Sequence, residues 1–166
     1  MKQSDGRLLN CFEIFGLPIE YKIDPKILLH EYLNRQSRSH PDIGEKTETE
    51  EAPGMSAVES SLLNIAYGIL VNPIKRATHF LELHGRHSDD LAPEFAMEAF
   101  SLRERYEFLS SDEEKKRFQM ELSTSVTRQI MQLEAVASDL DVFQKKYSLL
   151  RFTASFLEKE FGLKVD

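Results

Sequence analysis

Apolar positions recur along this chain at intervals of three and four residues, and stop signals cut the pattern into segments of helical length. Leu8 to Phe15 reads as a short helix, with Gly16 just beyond its end and Pro18 preventing its continuation. Asp24-Pro25 supplies an N-cap oxygen and a first-turn proline, after which Leu28, Leu29, Tyr32 and Leu33 share one face. The opposite face carries Lys26, Glu31, Arg35 and Arg38. Pro41 ends this second helix and keeps His40 out of the α region. The polar loop 42–54 follows, with five acidic residues and one lysine. Ser56 and Glu59 form a capping box for a third helix, whose expected buried face is Met55, Val58, Leu62, Ile65, Ala66 and Ile69. Asn72-Pro73 starts a fourth helix, Ile74 to Leu83, closed by Gly85.

The second and third helices are joined by a polar loop, and each must bury an apolar stripe, so they are expected to pair antiparallel with the short helices covering their ends. Composition then shifts to Gly, Pro and Asp, which places a linker at 86–93 between a first domain, 1–85, and a second, 94–166. The second domain begins with a helix from about Glu94 to Leu109. Ser111 and Glu114 cap a long helix carrying Phe118, Leu122, Val126, Ile130 and Leu133. From Leu140, the residues Phe143, Tyr147, Leu150, Ala154, Leu157 and Phe161 form an unbroken seam of the coiled-coil kind, ended by Gly162. A three-helix bundle follows, and no strand pattern or internal repeat competes, so the fold class is all-α. A second apolar face also stands out. Phe95, Leu102, Tyr106 and Leu109 point toward the bundle, while Ala96, Met97, Phe100, Glu104 and Phe108 lean to another side. Leu149, Phe152 and Phe156 fall off the main seam of the last helix. Such a face is either more core or an exposed binding patch.

Composition narrows the function. Among 166 residues, 41% are apolar and 30% charged, with 11 Phe and only 7 Gly and 6 Pro, which suits a globular helical protein. The net charge of −7 argues against a nucleic-acid binder, because neutralising phosphates needs a surplus of Lys and Arg. Cys11 is the only cysteine, so no internal disulfide or multi-thiolate metal site forms. No apolar run reaches membrane-spanning length, and the first residues carry neither a signal core nor an Arg-rich transit pattern, so the expected location is the cytoplasm. His84-x-x-His87 lacks a third ligand, and no Gly-rich phosphate loop, HExxH pair or nucleophile elbow is present. No cofactor, metal or catalytic residue is expected, and a small helical metalloenzyme would need a cluster of carboxylates and His that the sequence does not offer.

Taken alone, His40-Pro41-Asp42 is a helix end with a histidine near the C-terminal dipole. Its position in the turn of a hairpin with a basic face, followed by Lys75-Arg76-Ala77 in the fourth helix, resembles a J-domain. Cys11-Phe12-Glu13-Ile14-Phe15-Gly16-Leu17-Pro18, the run from Arg76 through Leu83-His84-Gly85, and Phe95-Ala96-Met97-Glu98 with Leu102-Arg103-Glu104 resemble the HscB-type family of J-domain co-chaperones. The resemblance spans residues 8 to 161. It implies an N-terminal J-domain and a C-terminal three-helix domain in an L-shape. It also implies a monomer that binds the iron–sulfur scaffold IscU and targets it to the DnaK-type chaperone HscA, stimulating ATP hydrolysis by that chaperone. On this resemblance His40, Pro41 and Asp42 contact the chaperone, with Lys26, Arg35 and Arg38 as the basic contribution, and Ala96, Met97, Phe100, Glu104 and Phe152 contact the scaffold. Ser39 and Ile43 stand where many J-domains carry an aromatic residue and a lysine, and the second helix is sparsely basic, so a weak, transient chaperone interface is expected. The competing reading is a J-domain protein for other clients, with the C-terminal helices acting as a dimerisation module.

Overall fold

Local signals set the helix ends. The computed structural model describes residues 9–37, 56–87 and 90–165. Its helices are α1 (Cys11–Ile14), α2 (Pro25–Ser37), α3 (Ala57–Val71), α4 (Pro73–Leu83), α5 (Ala96–Glu107), α6 (Asp112–Ala135) and α7 (Leu140–Phe161), with a 3-10 turn at Pro93–Phe95. No strand occurs among the described residues, and the fold class is all-α as expected. The Ser56/Glu59 and Ser111/Glu114 capping boxes form. Asp24 Oδ1 accepts the Lys26 N–H at 2.8 Å. Gly16, Gly85 and Gly162 all take φ near +68°, the left-handed conformation that lets a helix close. The first helix is shorter than its apolar pattern. Asn10 caps it, with Glu13 completing the box, because this pair satisfies the free N–H groups better than a further turn of Leu would.

The chain divides into two compact units, Met1–Asn72 and Pro73–Asp166. In the first, Phe12, Phe15, Tyr21, Leu28, Leu63, Ala66 and Leu70 are buried, and each large apolar side chain removed from water stabilises by roughly 1.5–3 kcal/mol. The buried face of α3 differs from expectation. Leu63, Ala66 and Leu70 line it, while Val58 (69% exposed) and Ile65 (56%) face outward, and Met55 lies outside the described residues. On α2 only Leu28 is buried, and Leu29 and Leu33 are exposed. The cause is that α3 is apolar nearly all round, so its period selects no single face. Docking decides instead: Tyr67 stacks on Tyr32 at 4.2 Å and meets Phe15 edge-on at 6.5 Å, which turns the 63–70 stripe inward.

In the second unit α6 and α7 form an antiparallel pair, with Phe118 near Phe161 at one end and Gln129 facing Thr153 further along. The seam of α7 is buried as expected from Phe143 to Leu157. On α6 Phe118, Leu122, Val126 and Leu133 are buried as expected, but Gln129 takes the buried place expected for Ile130, which is only half-buried. Helix α4 packs against α7 through Phe80 on Phe143 (5.2 Å, edge-on) and Thr78 Oγ1 against the Tyr147 hydroxyl (2.6 Å). The division by packing therefore groups α4 with the second unit, whereas the Gly-Pro-Asp composition marks the turn that comes after it.

Candidate partner-binding site

The turn at His40, Pro41 and Asp42, together with Arg38, lies outside the described residues. The helix leading to it is anchored close by. Gln36 donates to the Tyr32 hydroxyl at 2.6 Å, and that hydroxyl donates to Asn64 Oδ1 on α3 at 3.0 Å. These bonds and the Tyr32–Tyr67 stack fix the last turns of α2 against α3, which is the rigid footing a turn needs if it is to present side chains. Of the basic residues expected here, Lys26 is exposed. Arg35 is half-buried, with its Nε enclosed and making no hydrogen bond among the described residues.

Four of the C-terminal candidates lie on α5, and the fifth, Phe152, lies on α7. Met97 is 77% exposed and Phe100 63%, and Ala96 and Glu104 are exposed beside them. Phe108, four residues past Glu104, extends the same stripe. The opposite side of α5 supplies the anchoring: Ala99 is buried, and Tyr106 meets Phe156 edge-on at 5.4 Å and Phe161 at 5.6 Å. The α5 stripe is thus an exposed apolar strip with a carboxylate set in it, and not additional core.

On α7 the expected trio separates. Phe156 is buried beneath Tyr106, Leu149 is half-buried, and Phe152 is half-buried at the edge of a groove of about 540 Å³ between α5 and α7. The guanidinium of Arg103 lies 5.2 Å from the centroid of the Phe152 ring, an attraction between a cation and the negative face of the ring. Arg103 was not among the expected site residues. Its only signal in the sequence is its place one residue before Glu104, and its contact with α7 depends on how two helices pack. At the far wall of the groove, desolvation first, and then a hydrogen bond to Glu160, push the Tyr106 phenol above its ordinary range, so it remains a neutral donor.

No group of three or more His, Cys, Asp or Glu among the described residues is placed to hold a metal ion. His84 Nδ1 is taken up by the Phe80 carbonyl at 2.7 Å. No helix among the described residues is long and apolar enough to cross a membrane.

No protein-family model matches the chain. It is 30% identical over 139 residues to the co-chaperone protein HscB homolog of Vibrio campbellii, covering 80% of this chain and 81% of that protein. With the Vibrio atlanticus homolog it shares 33% over 144 residues, covering 80% and 81%. The chain belongs to the HscB co-chaperone family. Solved HscB structures share its fold: human HscB superposes with a TM-score of 0.71 at 21% identity, covering 93% of this chain and 84% of that one. HscB from Vibrio cholerae gives a TM-score of 0.66 at 27% identity, covering 91% and 94%.

Proposed function

We propose that this HscB-family chain is a cytoplasmic, non-enzymatic co-chaperone that binds the iron–sulfur scaffold IscU and delivers it to the DnaK-type chaperone HscA. Residues 1–85 act as the J-domain, 86–93 as the linker and 94–166 as the client-binding domain. His40, Pro41 and Asp42 contact the chaperone and stimulate its ATP hydrolysis, with Lys26, Arg35 and Arg38 steering an acidic partner surface into place. IscU docks on Ala96, Met97, Phe100, Glu104 and Phe152. The observation that carries this reading is the α5 strip: two large apolar side chains left in water at one face, with a glutamate in line. A monomeric protein keeps such a strip exposed when a partner covers it.

The test is an ATPase assay of the chaperone with the full chain, with and without scaffold. Stimulation is expected to rise with scaffold, and Asp42→Ala is expected to abolish it. Intact stimulation by Asp42→Ala would remove the role assigned to the turn. Sizing the chain alone distinguishes the dimerisation reading: a dimer that is insensitive to scaffold would make the strip a self-interface.

A further inference from the structure

We infer that Ser148 is a positioning residue for the scaffold-docking strip, fixing the root of α5 to the same turn of α7 that leads to Phe152. The inference rests on the assignment of that strip to the scaffold.

The start of α5 has no cap of its own. Ala92 occupies the N-cap of the 3-10 turn without a capping side chain, and Pro93 follows with no N–H to offer. The anchor comes from another helix. The Ala92 N–H donates to Ser148 Oγ at 3.0 Å, and Ser148 Oγ in turn donates to the Lys145 carbonyl at 2.7 Å. On the other side of the same residue, the Ala92 carbonyl accepts the Phe95 N–H at 2.9 Å and begins the turn that runs into α5. One hydrogen-bond chain therefore passes from the α7 backbone through Ser148 to the first turn before Ala96 and Met97. Ser148 is 5% exposed and both of its bonds are partly buried, so leaving one unmade carries a cost. Lys145, three residues earlier on α7, adds an ion pair to Glu94 at 3.2 Å.

These contacts matter because they hold the near end of α5, ahead of the buried Ala99 and the Tyr106 anchor. Tyr106 secures the far end on Phe156 and Phe161, and Ser148 with Lys145 secures the near end. Between them lie Met97, Phe100 and Glu104. Pro93 stiffens the path from Ala92 into the helix, so a shift at Ala92 is passed on to Met97 and Phe100 with little loss. Ser148 and Phe152 are four residues apart on α7 and thus on one face, about 6 Å along the axis. Both halves of the docking surface, the α5 strip and Phe152, are set from one rigid helix. Loss of the Ser148 hydroxyl would release one half from the other without touching either.

The test uses the full chain and purified IscU in a titration calorimeter, with amide hydrogen exchange at Ala92 as the local readout. Ser148→Ala is expected to weaken scaffold binding roughly fivefold to tenfold, a loss of the size of one buried hydrogen bond. It should also speed exchange at Ala92 while leaving scaffold-free stimulation of the chaperone unchanged. Ser148→Thr, which keeps the hydroxyl, is expected to restore both. Lys145→Glu addresses the same anchor from an exposed position that does not endanger folding; it should weaken binding, and adding Glu94→Lys should recover it. Wild-type affinity in Ser148→Ala together with loss in Met97→Ala and Phe152→Ala would overturn the positioning role and leave the strip assigned. Wild-type affinity in Met97→Ala and Phe152→Ala as well would overturn the strip assignment and this inference with it.

Discussion

Phe152 and Phe156 stand one turn apart on α7 with ring centroids separated by 6.3 Å, and the structure gives them different surroundings. Phe156 is 8% exposed and closed over by Tyr106, while Phe152 is half-buried under Arg103 at the groove edge. Phe156→Ala is expected to destabilise by about 3–5 kcal/mol, as loss of a buried ring leaves a cavity. Phe152→Ala should cost much less stability and remove the scaffold-dependent part of chaperone stimulation. Urea unfolding of both variants, paired with the ATPase assay, checks this; equal stability losses would contradict the division.

Gln129 is a buried amide in an otherwise apolar seam. Its Nε2 reaches Thr153 Oγ1 at a long 3.4 Å, and its Oε1 makes no hydrogen bond among the described residues. Thr153 Oγ1 already donates to the Leu149 carbonyl at 2.9 Å, so losing the glutamine leaves no new orphan. Gln129→Met, close in shape and without the unsatisfied oxygen, is expected to raise stability by about 1 kcal/mol, seen as a rise of a few degrees in Tm. A clear fall in Tm would show that the amide is better satisfied in solution than these contacts suggest.

One pair of hydroxyls joins α4 to α7. Thr78 Oγ1 lies 3.1 Å from the Ile74 carbonyl and 2.6 Å from the Tyr147 hydroxyl, and either hydroxyl can donate in the shorter contact. Tyr147→Phe is expected to cost about 1 kcal/mol. Thr78→Val should cost a similar amount or more, because it takes the hydrogen-bond partner from a buried phenol. A double-mutant cycle on thermal unfolding measures the coupling, and additive losses would mean that the two groups do not interact.

Acid is expected to loosen the start of α6. The Ser110 and Ser111 N–H groups, at 2.8 and 3.1 Å from Glu114 Oε2, hold its carboxyl below the ordinary glutamate range. A carboxyl depressed in the folded state adds stability above its ordinary range and loses it as pH falls through the folded value. The loss should therefore begin at about pH 4.5 and grow below it. Glu114→Gln keeps the cap geometry without the titration, so it should flatten this part of the stability curve. An unchanged acid slope in Glu114→Gln would assign the effect to other carboxylates.

Much of this protein was legible in its sequence, and the readable part was the local part. Caps at Asp24, Ser56 and Ser111, and the closing glycines Gly16, Gly85 and Gly162, depend on residues a few positions apart, and each formed where its pattern lay. The α7 seam was equally clear, because a strict 3,4 spacing on a helix with a polar opposite side leaves one way to bury it. Spacing put Met97, Phe100 and Glu104 on one face of α5 but left that face open between core and exposed patch; the packing of the Tyr106 side on α7 is what left it in water.

Tertiary structure decided what repeats in the sequence left degenerate. Helix α3 has apolar residues on every side, so only the docking of Phe15 and Tyr32 on Tyr67 chose the 63–70 stripe over Val58 and Ile65. Phe152 and Phe156 have like surroundings in the sequence, and the arrival of Tyr106 from α5 made one core and left the other at a groove. The grouping of α4 with α7, the Arg103–Phe152 contact and the Ser148 anchor all join residues tens of positions apart. Short-range pattern fixes helices and their ends because hydrogen bonds and caps act within a turn; which faces meet is a matter of complementary shape between distant segments, and that exists only once the chain has packed.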